Sequence, residues 1–471
     1  MIGKRIIKVI AFCVCVFICI KTASEIVRPV DPYANGELYD GGIKELCSFY
    51  SEPPNSLDVV YIGSSHIYSG ISPVEIYKDY GITGYDCTSS SQDSYKAYHY
   101  LKEVLKTQRP KVVVYDLMAL FIGETRDEIS NWSGIENMRF SLNFLETAWH
   151  ASDNKSDVLS YIFPVIRYHD RWEELNSEDF LNRYESDYAK GQDMRYGDLI
   201  ATPLTAEQFP QFTELPTEEV IEINNEASEN IKKMVDLCKE NDIELLFIKT
   251  PITGYTYEYG NAMKKFADEC GIDLIDYNLM HEDIGLDWTT DFLDIVHLNS
   301  NGRSKLSQHI GRYLVDTYKL EAHVDKGWEK DANLYSQACK AKKIQRTYDS
   351  DEWFKMINDD NYIICVNGNI NCLNEEKRTL LNCNSIEYSE GNSVIYTLIR
   401  NSDNLVYSSQ NDEIIQEIDK GKFYVGNKGI SINGYKHTVS NDKCCVMVYD
   451  SVLNQIVDSV CVDMNGKLEK N

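Results

Sequence analysis

The 471-residue chain has no C-x-x-C pair among its 14 cysteines, no internal repeat and no long low-complexity stretch. Without that cysteine spacing a zinc ribbon has no support, and most of the cysteines are expected to be small buried hydrophobes. Positive charge is also scarce. Against 74 acidic residues stand 47 basic ones, for a formal net charge of −27. Such a surface repels phosphate backbones, which argues against nucleic acid as a partner. It favours a well-solvated protein that faces the cell exterior.

An A-x-A cleavage site is missing too, and this bears on the N-terminus. Lys4, Arg5 and Lys8 precede a nearly unbroken apolar run over residues 9–20, and Lys21 returns the chain to polar sequence. The run is shorter than the ~20 residues that comfortably span a bilayer, and a secretory signal peptide and an uncleaved anchor both fit it. With only Thr22-Ala23-Ser24 as nearby small residues, the anchor is favoured. Basic residues on the N-terminal side then put the body outside a bacterial cell membrane, single-pass, or secreted if the segment is cleaved.

Residues 1–24 are therefore expected to be the membrane segment and residues 25–55, punctuated by proline and glycine, a stalk. An alternating pattern follows. Strand-like runs lie at 58–62, 112–116, 244–249 and 272–276, with a short one near Tyr85. Helical patterns at 73–80, 94–106, 219–240, 259–270 and 300–318 alternate with them. Strands that are apolar throughout and separated by helices predict an α/β domain over 56–320: a flavodoxin-like doubly wound parallel sheet, with its site outside the carboxyl ends of the strands. Between 118 and 217 the alternation stops, which predicts a helical insertion over the rim, a lid or substrate platform. Residues 321–348 read as a charged linker. Beyond 349, short β-like runs with Asn/Gly turns predict a separate strand-rich domain reaching 471.

Two segments carry the chemistry. Asp58-Val59-Val60-Tyr61-Ile62-Gly63-Ser64-Ser65-His66 is a strand running into a glycine-started turn that exposes a serine. Asp294-Ile295-Val296-His297-Leu298-Asn299 sets a carboxylate and an imidazole three residues apart before a helix. A serine hydroxyl needs a base to take its proton, and the base needs a third group to fix its tautomer. Ser65, His297 and Asp294 can fill those three roles, with the amides opening the next helix suited to an oxyanion. The alternative for Ser65 is an ordinary strand–helix cap, and for His297 a structural histidine at a helix start. His66 reads as packing rather than as a second base. Lys249 at a strand end, and His169, Arg171 and Trp172 in the insertion, are candidate substrate-binding residues; a solvated lysine and a packed helix pair are the plainer readings.

The combination resembles the SGNH/GDSL hydrolase superfamily over roughly 55–318, in which Ser follows the first strand and Asp-x-x-His precedes the last helix. It looks most like the membrane-anchored bacterial branch of alginate O-acetylation and teichoic-acid D-alanylation proteins. The resemblance implies a serine-dependent O-acyltransferase or esterase acting on acyl, foremost acetyl, esters of cell-surface polysaccharide. It implies a multipass membrane O-acyltransferase as partner and neither cofactor nor metal. The family's second-block glycine corresponds to about Thr88 and its third-block asparagine falls in Asp116-Leu117-Met118. Those departures leave Ser65, Thr88 and Gln92 as the oxyanion donors, and they keep open an inactive glycan-binding or scaffold protein. In the C-terminal domain, Gly429-Ile430-Ser431-Ile432-Asn433-Gly434-Tyr435 and Val446-Met447-Val448-Tyr449-Asp450 resemble interleukin-like EMT-inducer (PANDER-like) domains, although Lys443 and Cys445 depart from that pattern. This likeness implies carbohydrate or partner binding.

Overall fold

The computed structural model describes residues 2–28, 46, 48–123, 128–175, 177–180, 188–192, 217–381, 394–400, 405–409, 412–418, 421–438, 440 and 442–470. The chain divides into two units, Met1–Ala332 and Asn333–Asn471.

The first unit opens with helix α1 (Ile2–Val27), which carries the N-terminal apolar run. Next come β1 (Val59–Gly63), α2 (Ser65–Gly70), α3 (Pro73–Tyr80), β2 (Gly84–Thr88), α4 (Ser94–Val104) and β3 (Val112–Asp116). After the insertion follow α5 (Asn225–Glu240), β4 (Glu244–Lys249), α6 (Tyr257–Cys270), β5 (Asp273–Asp276) and α7 (Ser300–Tyr318). The strands form one parallel sheet in the order β2-β1-β3-β4-β5. Val59 pairs with Gly84 on one side and Val112 on the other, and Leu246 pairs with Asp273. Every residue of β1, β2 and β3 is buried. That is why these strands read as continuous apolar runs: helices cover both faces and no position is left for water. Val59, Tyr61, Val112, Val114, Leu246 and Ile248 pack against Leu306, Ile310 and Leu314 of α7. On the opposite face Phe247 stacks on Phe266 of α6.

Helix starts follow local chemistry. Ser72, Asp93 and Asn224 each accept a backbone N–H three residues on, and Pro73 sits at the first turn of α3. Such caps satisfy amides that have no partner inside the helix. The described part of the insertion is helical, with Glu128–Ile135, Leu142–Ala151, Val158–Ile162 and Val165–Tyr168 followed by 3₁₀ turns. Most of 193–217 lies outside the described residues.

Two expectations change. The stalk does not extend to residue 55: α1 continues to Val27, and Leu46 and Phe49 are fully buried, with Phe49 edge-on to Tyr85. These apolar side chains gain more from the core than from solvent. The expected linker is also ordered, because helix Lys326–Arg346 occupies most of it and buries Ala341 and Ile344 in the core of the second unit.

The second unit is strand-rich. A six-stranded antiparallel sheet, β15-β14-β13-β6-β7-β8, runs through β6 (Tyr362–Asn369), β7 (Val394–Arg400), β8 (Leu405–Ser409), β13 (Cys444–Asp450), β14 (Gln455–Val462) and β15 (Leu468–Lys470). A four-stranded sheet, β12-β11-β10-β9, comprises β9 (Ile414–Ile418), β10 (Gly421–Gly426), β11 (Gly429–Ile432) and β12 (Tyr435–His437). Ile363, Cys365 and Met447 of the larger sheet share a core with Phe423, Val425 and Ile430 of the smaller. Cys445 and Cys461, register partners on β13 and β14, form a disulfide, whereas Cys238, Cys365 and Cys372 are buried thiols and Cys87 and Cys444 are buried as well.

Candidate active site

β1 ends in Gly63 at φ +157°, and a Cβ added there would stand 2.6 Å from Cγ1 of Ile67. Only glycine lets the chain turn this tightly from strand into α2. Ser64 caps the short helix and Ser65 opens it, so the Ser65 side chain lies at the carboxyl rim of the sheet.

The second segment reaches the same place through a pinned loop. The amide of Leu293 donates to the carbonyl of His297 at 2.9 Å, and the amide of Asn299 to Asp291 at 2.9 Å. Asn299 accepts the amides of Asn301 and Gly302 as the cap of α7, and its Nδ2 donates to the Thr290 carbonyl. A Cβ on Gly302 would come within 2.5 Å of the Asp291 carbonyl, so the helix start and the loop fit only with glycine there.

Between the two segments runs a continuous hydrogen-bond chain. Nε2 of His297 lies 2.8 Å from Oγ of Ser65, and Nδ1 lies 2.7 Å from Oδ2 of Asp294. Oδ1 of Asp294 accepts the amides of Val296 at 2.8 Å and His297 at 2.9 Å. With a carboxylate on Nδ1, the satisfied tautomer carries its proton there and leaves Nε2 to accept from the Ser65 hydroxyl. Partial burial pushes the Asp294 carboxyl up, but the hydrogen bond from His297 and those from the two amides outweigh it and hold it below the usual carboxylate range. Asp294 is therefore an anion able to stabilise an imidazolium.

Beneath this chain lies a buried polar cluster that the sequence did not announce. Asp116, at the end of β3, accepts Oγ1 of Thr250 at 2.7 Å and the Thr250 amide at 3.1 Å. Its other oxygen accepts the Met118 amide at 2.7 Å. Lys249 is 1% exposed, stands 3.7 Å from Asp116 and donates to the Thr250 carbonyl at 2.8 Å. It is thus a buried partner of Asp116, not an open anion site, and its assignment to substrate binding is corrected. Burial lowers the Lys249 ammonium. Burial raises the Asp116 carboxyl, but Lys249, His66 and Thr250 more than compensate and the net shift is downward. His66, buried and edge-on to His297 at 5.8 Å, is pushed down to about 3 by burial and then by Lys249, and its Nδ1 has no hydrogen-bond partner. A protonated His66 is therefore disfavoured at neutral pH.

The other sequence candidates disperse. Thr88 is buried at the end of β2, opposite Gly63 in register. Gln92 is buried with its Nε2 3.5 Å from the Cys87 carbonyl and from the Ser89 hydroxyl, so its side chain is turned towards β2. Arg171 donates to the Val27 carbonyl at 2.8 Å and pairs with Asp179, so it clamps the end of α1 and is not a ligand fork. His169 is exposed and pairs with Asp170 in its own turn, and Trp172 is 64% exposed. Among the described residues, one group has metal-ligand spacing, His437 with Cys445 and Cys461 in the second unit, and its sulfurs are joined to each other.

No protein-family model matches the chain, and no curated protein matches it. Solved structures similar to it include a Bacteroides fragilis protein provisionally described as an acylhydrolase, at 14% identity and TM-score 0.28, over 59% of this chain and 99% of that one. A GDP-L-fucose synthetase from Naegleria fowleri bound to NADP is similar at 12% identity and TM-score 0.13, over 58% and 98%. Neither overlay is close enough to transfer an activity.

Proposed function

We propose that this protein is a membrane-anchored, extracytoplasmic serine-dependent O-acyltransferase or esterase of the SGNH/GDSL type. Its substrates are acyl esters, acetyl foremost, of cell-surface polysaccharide. The observation that carries this reading is the Ser65–His297–Asp294 chain at 2.8 and 2.7 Å. The sheet order, with its reversal between β1 and β3, supports a site at that rim.

In this reading His297 takes the Ser65 proton at Nε2 as Oγ attacks the ester carbonyl, and Asp294 stabilises the imidazolium. Backbone amides at Ser65 and Thr88 are the oxyanion donors we assign. His297 then gives its proton to the departing alkoxide, and the C–O bond breaks to leave acyl-Ser65. A glycan hydroxyl, or water in an esterase, delivers its proton to His297, attacks the acyl carbon and frees Ser65. A multipass membrane acyltransferase is the partner we expect, with the second unit binding glycan or that partner.

One observation favours a rival, an inactive glycan-binding scaffold: Asp116, where the resemblance expects an asparagine donor, is an acceptor buried against Thr250. A fluorophosphonate probe separates the two. Labelling of the folded protein that disappears in Ser65→Ala is expected; absence of labelling in the unaltered chain overturns the enzyme reading. Incubation with acetylated glycan, with and without a second glycan, then separates transfer from hydrolysis.

A further inference from the structure

The outer end of α1 does not stand free of the body. Ser24, Val27 and Arg28 are buried, Arg171 donates to the Val27 carbonyl, and Arg28 donates to the Glu136 carbonyl. Higher on the helix, the Phe17 ring lies 6.0 Å from that of Phe140 and 5.6 Å from that of Phe163. Lys21 sits 5.9 Å over the Phe140 ring.

Phe17 belongs to the apolar run, three residues short of its end at Ile20. Whatever packs on Phe17 therefore lies at the depth of the lipid boundary if α1 crosses a membrane. Over the same stretch of sequence the insertion exposes large apolar side chains: Leu142 at 79%, Trp149 at 57%, Leu159 at 50%, Ile166 at 51% and Trp172 at 64%. Lys155 stands 5.0 Å over Trp149. Exposed tryptophans with neighbouring cations suit the headgroup boundary, where the ring buries its apolar body and the cation reaches water or phosphate.

The length of the run points the same way. Residues 9–20 rise about 18 Å at ~1.5 Å per residue, against a hydrocarbon core of about 30 Å. α1 as a whole, Ile2–Val27, is long and apolar enough to cross, but its uninterrupted apolar run covers only part of that depth, and at the run's outer end anchoring residues or other apolar surface can meet the lipid. The insertion supplies such surface next to the run's outer end.

We propose that the insertion, from Phe140 to Trp172, is a lipid-binding surface seated in the outer interface of the membrane that α1 crosses. The body is then held on the bilayer and not lifted above it. The ligand is phospholipid, and the contact is apolar and aromatic; a chain of net charge −27 has no general attraction to anionic headgroups. This inference rests on the anchored reading of α1.

Tryptophan fluorescence tests both separately, because α1 contains no tryptophan. Of the six tryptophans, Trp132, Trp328 and Trp353 are buried and Trp288 is partly buried against the core of the first unit, which leaves Trp149 and Trp172 as the exposed reporters. The full chain is reconstituted in phosphatidylcholine vesicles carrying bromine at a shallow acyl position, and alkaline carbonate extraction is run in parallel. Quenching by the brominated lipid that is lost in the double variant Trp149→Phe/Trp172→Phe is the expected result. No quenching from a chain that resists carbonate overturns the lipid seat and leaves the anchor intact; the apolar patch then belongs to a protein partner. A chain that carbonate extracts overturns the anchor and the seat together.

Discussion

Replacing Asp294 by asparagine tests the proposed chemistry most sharply, because the structure says which tautomer would result. Oδ1 of Asp294 is held by two backbone donors, at 2.8 and 2.9 Å, and Oδ2 faces Nδ1 of His297 at 2.7 Å. An asparagine keeps its oxygen on the two amides, since its NH2 group placed there would set donors against donors. The NH2 then faces Nδ1 and makes it an acceptor, which moves the ring proton to Nε2. Nε2 is the atom 2.8 Å from Ser65, so the base is occupied before the reaction starts. The equivalent tautomer error in serine proteases lowers kcat about 10⁴-fold, a barrier increase of about 5.5 kcal/mol at ~1.4 kcal/mol per decade. Asp294→Ala should lose less, because the Asp294 side chain is 46% exposed and water that replaces it can serve Nδ1 in either sense. The assay is the second-order rate of fluorophosphonate labelling at Ser65, beside acetyl ester turnover, with circular dichroism to confirm the fold. An Asp294→Asn protein within threefold of the unaltered rate, or faster than Asp294→Ala, refutes the reasoning.

Two further predictions concern the buried cluster beneath the site. His66 is held near a pKa of about 3 by burial, whereas the unfolded chain protonates it near 6.5; between those values the unfolded state binds the extra proton, so stability is full above about 6.5 and falls with pH. The loss from this group between pH 7 and 5 is about 2 kcal/mol, and His99, pushed down to about 4 by burial, adds in the same direction. Urea midpoints at pH 7, 6 and 5 should fall less steeply for His66→Phe; an unchanged slope contradicts the burial argument. Asp116→Ala leaves Lys249 buried without its partner, at a cost of about 3–5 kcal/mol. Adding Lys249→Met should restore part of that loss, and a double variant as unstable as the sum of the two singles shows that the pair is not coupled.

What could be read from the chain divides along physical lines. β1, β3 and β4 were legible because burial on both faces leaves Val-Val-Tyr-Ile, Val-Val-Val-Tyr and Leu-Leu-Phe-Ile uninterrupted, and their shortness and β-branched or aromatic content separate such runs from buried helix. β8, β9 and β10 were not, since exposed residues such as Glu417 and Lys422 alternate with buried ones and dilute the signal in strands of five or six residues. Ser65, His297 and Asp294 were legible as local motifs whose spacing has a chemical reason. Lys249 and Arg171 were misread for a common cause. A cation at a strand end or in a polar insertion defaults to solvent, and only a partner remote in sequence reverses that. Asp116 belongs to the neighbouring strand, and the Val27 carbonyl is 144 residues away from Arg171. Nothing within a local window encodes either meeting.

The contacts of Arg171 lead to one physical conclusion about the insertion. Arg171 and Arg28 both donate to backbone carbonyls, those of Val27 and Glu136. Such bonds hold chain direction and leave no fork for a ligand. Gly134 of the same insertion touches the rim from the other side: its carbonyl accepts the Tyr100 hydroxyl at 2.7 Å, and a Cβ on it would meet Oγ of Ser89, one residue past β2, at 3.3 Å. A segment fixed at both the outer end of α1 and the carboxyl edge of the sheet transmits position between them. A lid that opens to solvent would have to break those contacts on every cycle. The described part of the insertion therefore acts as a spacer between the end of α1 and the rim that carries Ser65, and under the proposed function such a spacer would set which acyl donors the hydroxyl can reach.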